Sequence, residues 1–310
     1  MAATTILTAT AAASALFAAV GARKVYSSIT AERGLVLPSL RALSSQESSS
    51  SAYPEDYYPG GGYAELTFGE THYFMFGPEE GKKVVFVHGL STPASVWSKV
   101  ARHMATSGCR VLLYDLYSRG YSVGPPVDHD PLLYVSQLDD LLRHVGWNKA
   151  NFVGLSLPSE IPWVGKIFLM PYSEEIFAHK AIKGYFSTKN VESMKVEFKD
   201  EKEVPACVEE AAAILTLQFK HHAGYARGVM STLKTFPLTA LTKEYSTSRE
   251  QAYPVQLVWG TRDTVVPGST VGVLQKLIPR VKVTRVAGAT HSIVMTHADA
   301  VIKQLKPFVI

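Results

Sequence analysis

Two cysteines in 310 residues, Cys109 and Cys207, exclude a disulfide framework. No C-x-x-C and no Cys/His grouping stands at the spacing a metal needs, so neither a metal nor another cofactor is expected. His221-His222 has no carboxylate or cysteine at ligand spacing and reads as a solvated helix end. Charge of one sign is scarce as well. The net charge is +4 with no Lys/Arg cluster, which leaves nucleic acid without an electrostatic footprint. Gly60-Gly61-Gly62 precedes a strand rather than a helix, so it is a hinge and not a phosphate loop. No internal repeat occurs. What remains is an ordinary globular composition, 46% hydrophobic and 19% charged. The length suits one α/β domain with an insert, or two small domains.

The first segment stands apart. Residues 4–21 carry no charge and are mostly Ala, Leu, Ile, Val and Phe, with Arg23 and Lys24 directly after. A span of about 18 residues is near the minimum for crossing a bilayer. A cleaved signal peptide is one reading, since small residues stand at 20–22. The basic pair on the far side favours the other, an uncleaved anchor that places the chain at a membrane. Secretion after cleavage is the alternative localisation. Residues 1–24 are thus an anchor or signal, and the Ser-, Tyr- and Pro-rich stretch that follows makes 25–59 a flexible linker.

From residue 60 the pattern is that of a folded domain. Residues 63–68 and 71–76 alternate around Gly69-Glu70 as a hairpin. Residues 83–87 form a continuous apolar run, a strand buried on both faces, and end at His88-Gly89-Leu90-Ser91. A helix begins with Thr92 as cap and Pro93 in its first position, and Gly108 stops it. Residues 110–116 are the next strand. Asp130-Pro131 opens a helix that Gly146 closes. The strand over 151–153 then bends at Gly154-Leu155-Ser156. After an irregular, helical stretch with clear helices at 205–219 and 222–236, alternation returns. Strands at 255–259 and 281–286 each precede a helix, at 269–277 and 298–308. Strands alternating with helices indicate an α/β fold with a mainly parallel sheet covered on both faces. The core is expected at 60–162 and 251–310, with 163–250 as a helical lid.

Three polar residues stand just past the ends of buried strands: Ser156, Asp263 and His291. In a parallel sheet these loops share one edge. A serine hydroxyl needs a base within reach and a third group to orient that base. The order Ser, Asp, His belongs to one hydrolase architecture.

With those residues in place, the chain resembles the α/β-hydrolase superfamily, in its group of small esterases, lipases and C–C hydrolases. The resemblance spans about 60–310. It rests on V-F-V-H-G-L at 85–90, Y-D-L-Y-S-R-G-Y-S at 114–122, V-G-L-S-L at 153–157, V-W-G-T-R-D at 258–263 and G-A-T-H-S at 288–292. It implies Ser156 as nucleophile, His291 as base and Asp263 as its orienting acid. It also implies an oxyanion hole from the backbone N–H groups of Leu90 and Leu157. The substrate would be a small-molecule ester or a lipid-like acyl compound.

Three departures qualify that expectation. Pro158 replaces the second glycine of G-x-S-x-G. Ser118 stands where the family's loop usually has glycine, which is tolerable if φ there is not positive. The helix and strand that should follow the nucleophile find no room. Two prolines, Pro158 and Pro162, lie between Ser156 and the next apolar run at 166–170. A parallel crossover needs at least about 10 residues. The expectation is a fold left incomplete after the nucleophile strand, as an internal deletion would produce. The alternative function is therefore an impaired or inactive hydrolase-fold protein.

Overall fold

The computed structural model describes residues 35–49, 51–156, 204–235 and 254–310. The chain divides into two compact units, Met1–Val36 and Leu37–Ile310. The first lies almost wholly outside the described residues. That includes residues 4–21, where the anchor or signal was expected. Among the described residues no helix is long and apolar enough to cross a membrane. This corrects the membrane partner and the membrane localisation read from the sequence: the described residues supply no spanning helix.

The second unit opens with a segment that composition marks as a linker. From residue 37 it is folded. Leu37 and Gly124 exchange backbone hydrogen bonds of 2.8 Å. A 3-10 turn, Leu40–Ala42, and a short helix α1, Ser45–Ser49, follow. Tyr53 and Tyr58 are then fully buried. The Tyr58 ring meets Phe74 at 5.0 Å and Phe76 at 5.5 Å between centroids. Serine-rich composition points to solvation, but the apolar area of the tyrosine rings prevails.

Strands β1 (Gly61–Leu66) and β2 (Gly69–Phe76) form the hairpin. Its turn is Thr67-Phe68, two residues before the expected Gly69-Glu70, because Leu66 pairs with Gly69. Gly69 takes φ +131°, and a Cβ there would come within 2.6 Å of Val123, so glycine is needed to start β2. Strands β3 (Lys82–Val87), β4 (Cys109–Tyr114) and β5 (Asn151–Gly154) complete a sheet of order β1-β2-β4-β3-β5. The β1–β2 and β2–β4 pairs are antiparallel, and β4–β3 and β3–β5 are parallel. The sheet is therefore mixed.

Between β3 and β4 the helix starts later than expected. Pro93 stays extended, a 3-10 turn covers Ala94–Trp97, and α2 runs over Ser98–Thr106. The Ala94 N–H is capped by Asp115 Oδ1 at 2.9 Å rather than by Thr92. Helix α3 (Pro131–His144) does begin as its sequence indicates: Asp130 Oδ1 accepts from the Leu133 N–H at 2.9 Å. Helices α4 (Ala206–His221) and α5 (Tyr225–Thr235) cover the loops at the strand ends.

Strands β6 (Gln256–Gly260) and β7 (Lys282–Val286) pair in parallel as a separate sheet. Helix α6 (Gly268–Leu277) connects them, and α7 (Ile293–Thr296) and α8 (Ala298–Val309) end the chain. Val301, Ile302 and Leu305 of α8 join Val100, Ala101 and Met104 of α2 in one core. Among the described residues no strand joins β5 to β6, and the helix and strand that the sequence was expected to lack would fall in this interval. Residues 157–203, including the run at 166–170 and Pro158, lie outside the described residues. On β5 the Phe152 side chain is 53% exposed, and a Cβ on Gly154 would meet nothing within 4 Å.

That exposure separates two phenylalanines one strand apart. Phe86→Ala should cost about 3–5 kcal/mol in urea unfolding, the usual loss for a filled core site. Phe152→Ser should stay within about 0.5 kcal/mol. A large loss at Phe152 would mean that something covers β5.

Candidate active site

The residues after β6 and β7 are brought together by the local backbone. Arg262 N donates to Ala289 O at 2.8 Å and Thr261 N to Val286 O at 3.0 Å. Gly260 permits this approach, since a Cβ there would fall 2.4 Å from Ala289 O. Asp263 Oδ1 accepts from the N–H groups of Val265 and Val266, both at 2.8 Å. Its other oxygen lies 3.0 Å from His291 Nδ1. A carboxylate can only accept, so Nδ1 carries the hydrogen and Nε2 is left as the basic nitrogen. The imidazole is 24% exposed and the carboxylate 7%.

Ser156 stands on the other sheet. Leu155 N donates to Val87 O at 3.0 Å and carries the β3–β5 ladder one residue past β5. Ser156 is then exposed with φ +70°, a left-handed conformation that a non-glycine residue adopts only under local constraint. A Cβ built on Gly89 would lie 3.5 Å from the Ser156 Cβ, so the serine flanks the loop carrying Leu90. Among the described residues no hydrogen bond joins Ser156 to His291. Leu157, the second expected oxyanion donor, lies outside the described residues. The structure thus pairs Asp263 with His291, sets Ser156 beside the Leu90 loop, and leaves the two halves unconnected by a hydrogen bond. Among the described residues no group of three or more His, Cys, Asp or Glu could hold a metal ion.

Known proteins match this arrangement. Residues 84–157 match the alpha/beta hydrolase family model. A hydrolase from Pseudomonas aeruginosa PA01 superposes with a TM-score of 0.66 at 15% identity, over 81% of this chain and 98% of its own. A thermophilic esterase from Thermogutta terrifontis gives 0.63 at 17%, over 80% and 97%. The enol-lactonase from Burkholderia xenovorans LB400 gives 0.57 at 18%, over 80% and 99%. The chain has the α/β-hydrolase fold.

In this α/β-hydrolase fold the loops around the candidate site hang on Asp115. Its carboxylate is fully buried. It accepts from Ala94 N at 2.9 Å, Tyr121 N at 3.0 Å and Tyr53 Oη at 3.0 Å, and His72 Nδ1 lies 3.4 Å away. Burial pushes its pKa up, but the His72 hydrogen bond, the nearby His72 and His88 charges and the Ala94 N–H outweigh that and hold it below the usual carboxylate value. The motif at 114–122 contains Asp115, yet the sequence alone assigned it no role. The clue was an ionisable residue inside an apolar strand.

Ser118 departs from its expectation. Its φ is +65°, so the condition for harmless replacement of glycine fails. The surroundings hold it there: Oγ lies 2.9 Å from His129 Nε2 and the N–H donates to Val123 O at 2.9 Å. Gly228 on α5 leaves the space, since a Cβ on it would lie 2.3 Å from the Ser118 Cβ.

Two buried histidines, His88 and His129, give the fold a pH-dependent stability. His88 donates from Nδ1 to Gly89 O at 2.7 Å and accepts at Nε2 from Leu116 N at 2.9 Å. Burial pushes its pKa down to about 4. Burial, with Arg119 and Arg227 nearby, pushes His129 down to about 3. An unfolded histidine titrates near pH 6.5, roughly, so below that the unfolded chain takes up protons that the folded one refuses. The stabilisation is complete above about pH 6.5 and lost as pH falls toward about 4, at about 1.4 kcal/mol per pH unit for each histidine. Urea unfolding at pH 7, 6 and 5 should show the fall steepening between the last two. A flat profile would contradict these assignments.

Proposed function

We propose that this chain is a catalytically impaired serine-hydrolase relative, an α/β-hydrolase-fold protein shortened directly after its nucleophile strand. The observation that carries the reading is that, among the described residues, no strand joins β5 to β6 beside Ser156, with Phe152 of β5 left exposed. In a complete fold of this kind a helix follows the nucleophile and puts its N-terminal amides at the oxyanion. Only eight residues, two of them proline, separate Ser156 from Gly165, too few for that helix and its return. Loss of one oxyanion donor typically lowers turnover by about 10²–10³.

A second reading has its own support. The Asp263–His291 pair and the left-handed Ser156 are what a working triad requires of each half. In that reading Ser156 attacks an ester carbonyl, His291 Nε2 takes its proton, Asp263 holds the imidazole, and the N–H groups of Leu90 and Leu157 receive the oxyanion. A small ester is the substrate class in both readings, in keeping with the esterase and the enol-lactonase that the fold resembles.

Restoring G-x-S-x-G followed by a helix and a strand after residue 157 separates the two. The restored protein should hydrolyse a short p-nitrophenyl ester at least about 10²-fold faster and melt at higher temperature. Ser156→Ala should abolish the gain. Equal rates and equal melting would leave the impaired reading without support.

A further inference from the structure

The loop from Gly89 to Ser91 is held from outside the triad. Gly89 O takes the Nδ1–H of His88 at 2.7 Å. Leu90 O takes the Nε–H of Arg119 at 3.0 Å. Ser91 O takes two donors from the covering helices: Gln218 Nε2 of α4 at 3.0 Å and Tyr225 Oη, at the start of α5, at 2.8 Å. Three successive carbonyls are thus drawn onto protein donors. The Leu90 N–H makes no hydrogen bond among the described residues. Leu90 is only half-buried, and its amide, left open where its neighbours' carbonyls are all pinned, is available to an anion.

The donors are themselves fixed. Gln218 is fully buried, and its Oε1 accepts from Gly120 N at 2.9 Å, which ties the Ser91 contact to the loop around Asp115. Arg119 is 1% exposed. Among the described residues its guanidinium pairs with no carboxylate. It donates instead to Leu90 O, Tyr117 O, the Tyr134 hydroxyl and Thr232 Oγ1. A buried guanidinium spread over neutral oxygens is costly unless its geometry is well fixed, and Thr232 of α5 fixes one side of it.

We propose that Gln218, Tyr225 and Arg119 are positioning residues that set the direction of the Leu90 amide, and that α4 and α5 are therefore part of the oxyanion apparatus rather than only a cover. This deepens the serine-hydrolase reading and rests on it for its chemistry, but the geometric claim stands by itself. Arg119 and Gln218 reach the loop from buried positions where substitution also disturbs packing. Tyr225 offers the cleaner test, since Tyr225→Phe removes one hydroxyl and no volume.

The experiment is amide hydrogen exchange read by mass spectrometry on the full chain, comparing wild type, Tyr225→Phe and Tyr117→Phe. Tyr117 is a second buried phenol whose hydroxyl donates elsewhere, to Gly69 O at 3.3 Å. Tyr225→Phe should speed exchange about 10-fold in peptides spanning 88–93 and leave those of β3 and β4 unchanged, whereas Tyr117→Phe should leave 88–93 unchanged. Where Ser156 reacts with a fluorophosphonate, Tyr225→Phe should also lower the maximal inactivation rate about 10-fold without changing the half-saturating concentration. Unchanged exchange over 88–93 in Tyr225→Phe, or an equal change in Tyr117→Phe, overturns the proposal. Faster exchange at 88–93 in a chain whose Ser156 never reacts upholds the positioning and removes only the catalytic reading.

Discussion

The buried carboxylate of Asp115 is the constraint on which the catalytic edge of this fold depends. An ionised carboxylate removed from water loses several kcal/mol of solvation and is tolerated only when its oxygens are filled. Here donors come from four places in the chain: Tyr53 from the segment before the domain, His72 from β2, the Ala94 amide that opens the 3-10 turn, and Tyr121 from the loop after β4. One anion thereby fixes a segment, a strand, a helix start and a loop relative to each other. Glycine at 120 follows from the same packing, since a Cβ there would lie 2.2 Å from the carboxylate. The loop so fixed carries Ser118 and Arg119, and through Arg119 it reaches Leu90.

Against that well-determined half, the other half of the site is self-contained. Asp263 and His291 are aligned by contacts within the β6 and β7 loops, and α8 fastens this sheet to the rest through α2. Neither arrangement needs the segment after Ser156. This explains how the His–Asp pair keeps its geometry although, among the described residues, no strand joins its sheet to that of Ser156. In the impaired reading, a helix and strand after Ser156 would supply continuity between β5 and β6, a cover over Phe152, and amides next to the nucleophile.

Much of this was legible in the residues. The apolar runs placed the strands to within a residue or two, because strands buried between layers leave little freedom in which residues are apolar. The Asp130-Pro131 start of α3 was readable because its cap is local. The shortening expected after Ser156, read from chain length and proline, lies outside the described residues. The misreadings share a cause. Tyr53 and Tyr58 lie in a serine-rich stretch, and only the tertiary pocket beside Asp115 and Phe74 makes them core residues. Three tyrosines within residues 53–58 were the available signal. The hairpin turn lies two residues earlier because Leu66 pairs with Gly69, a register that the residue pattern does not fix. Ser118 takes positive φ because Gly228, 110 positions away, leaves it room. The membrane anchor rested on hydropathy and the basic pair Arg23 and Lys24, and among the described residues no spanning helix bears it out.

The central proposal is that Ser156 and the Asp263–His291 pair are the two halves of a serine-hydrolase site whose connection is impaired. Active-site titration of the chain with a fluorophosphonate, with the labelled peptide identified by mass spectrometry, tests it most directly. The account predicts that Ser156 labels slowly and well below one equivalent over a time in which a complete serine hydrolase is fully labelled. Rapid, stoichiometric labelling of Ser156, lost in His291→Ala, would contradict it.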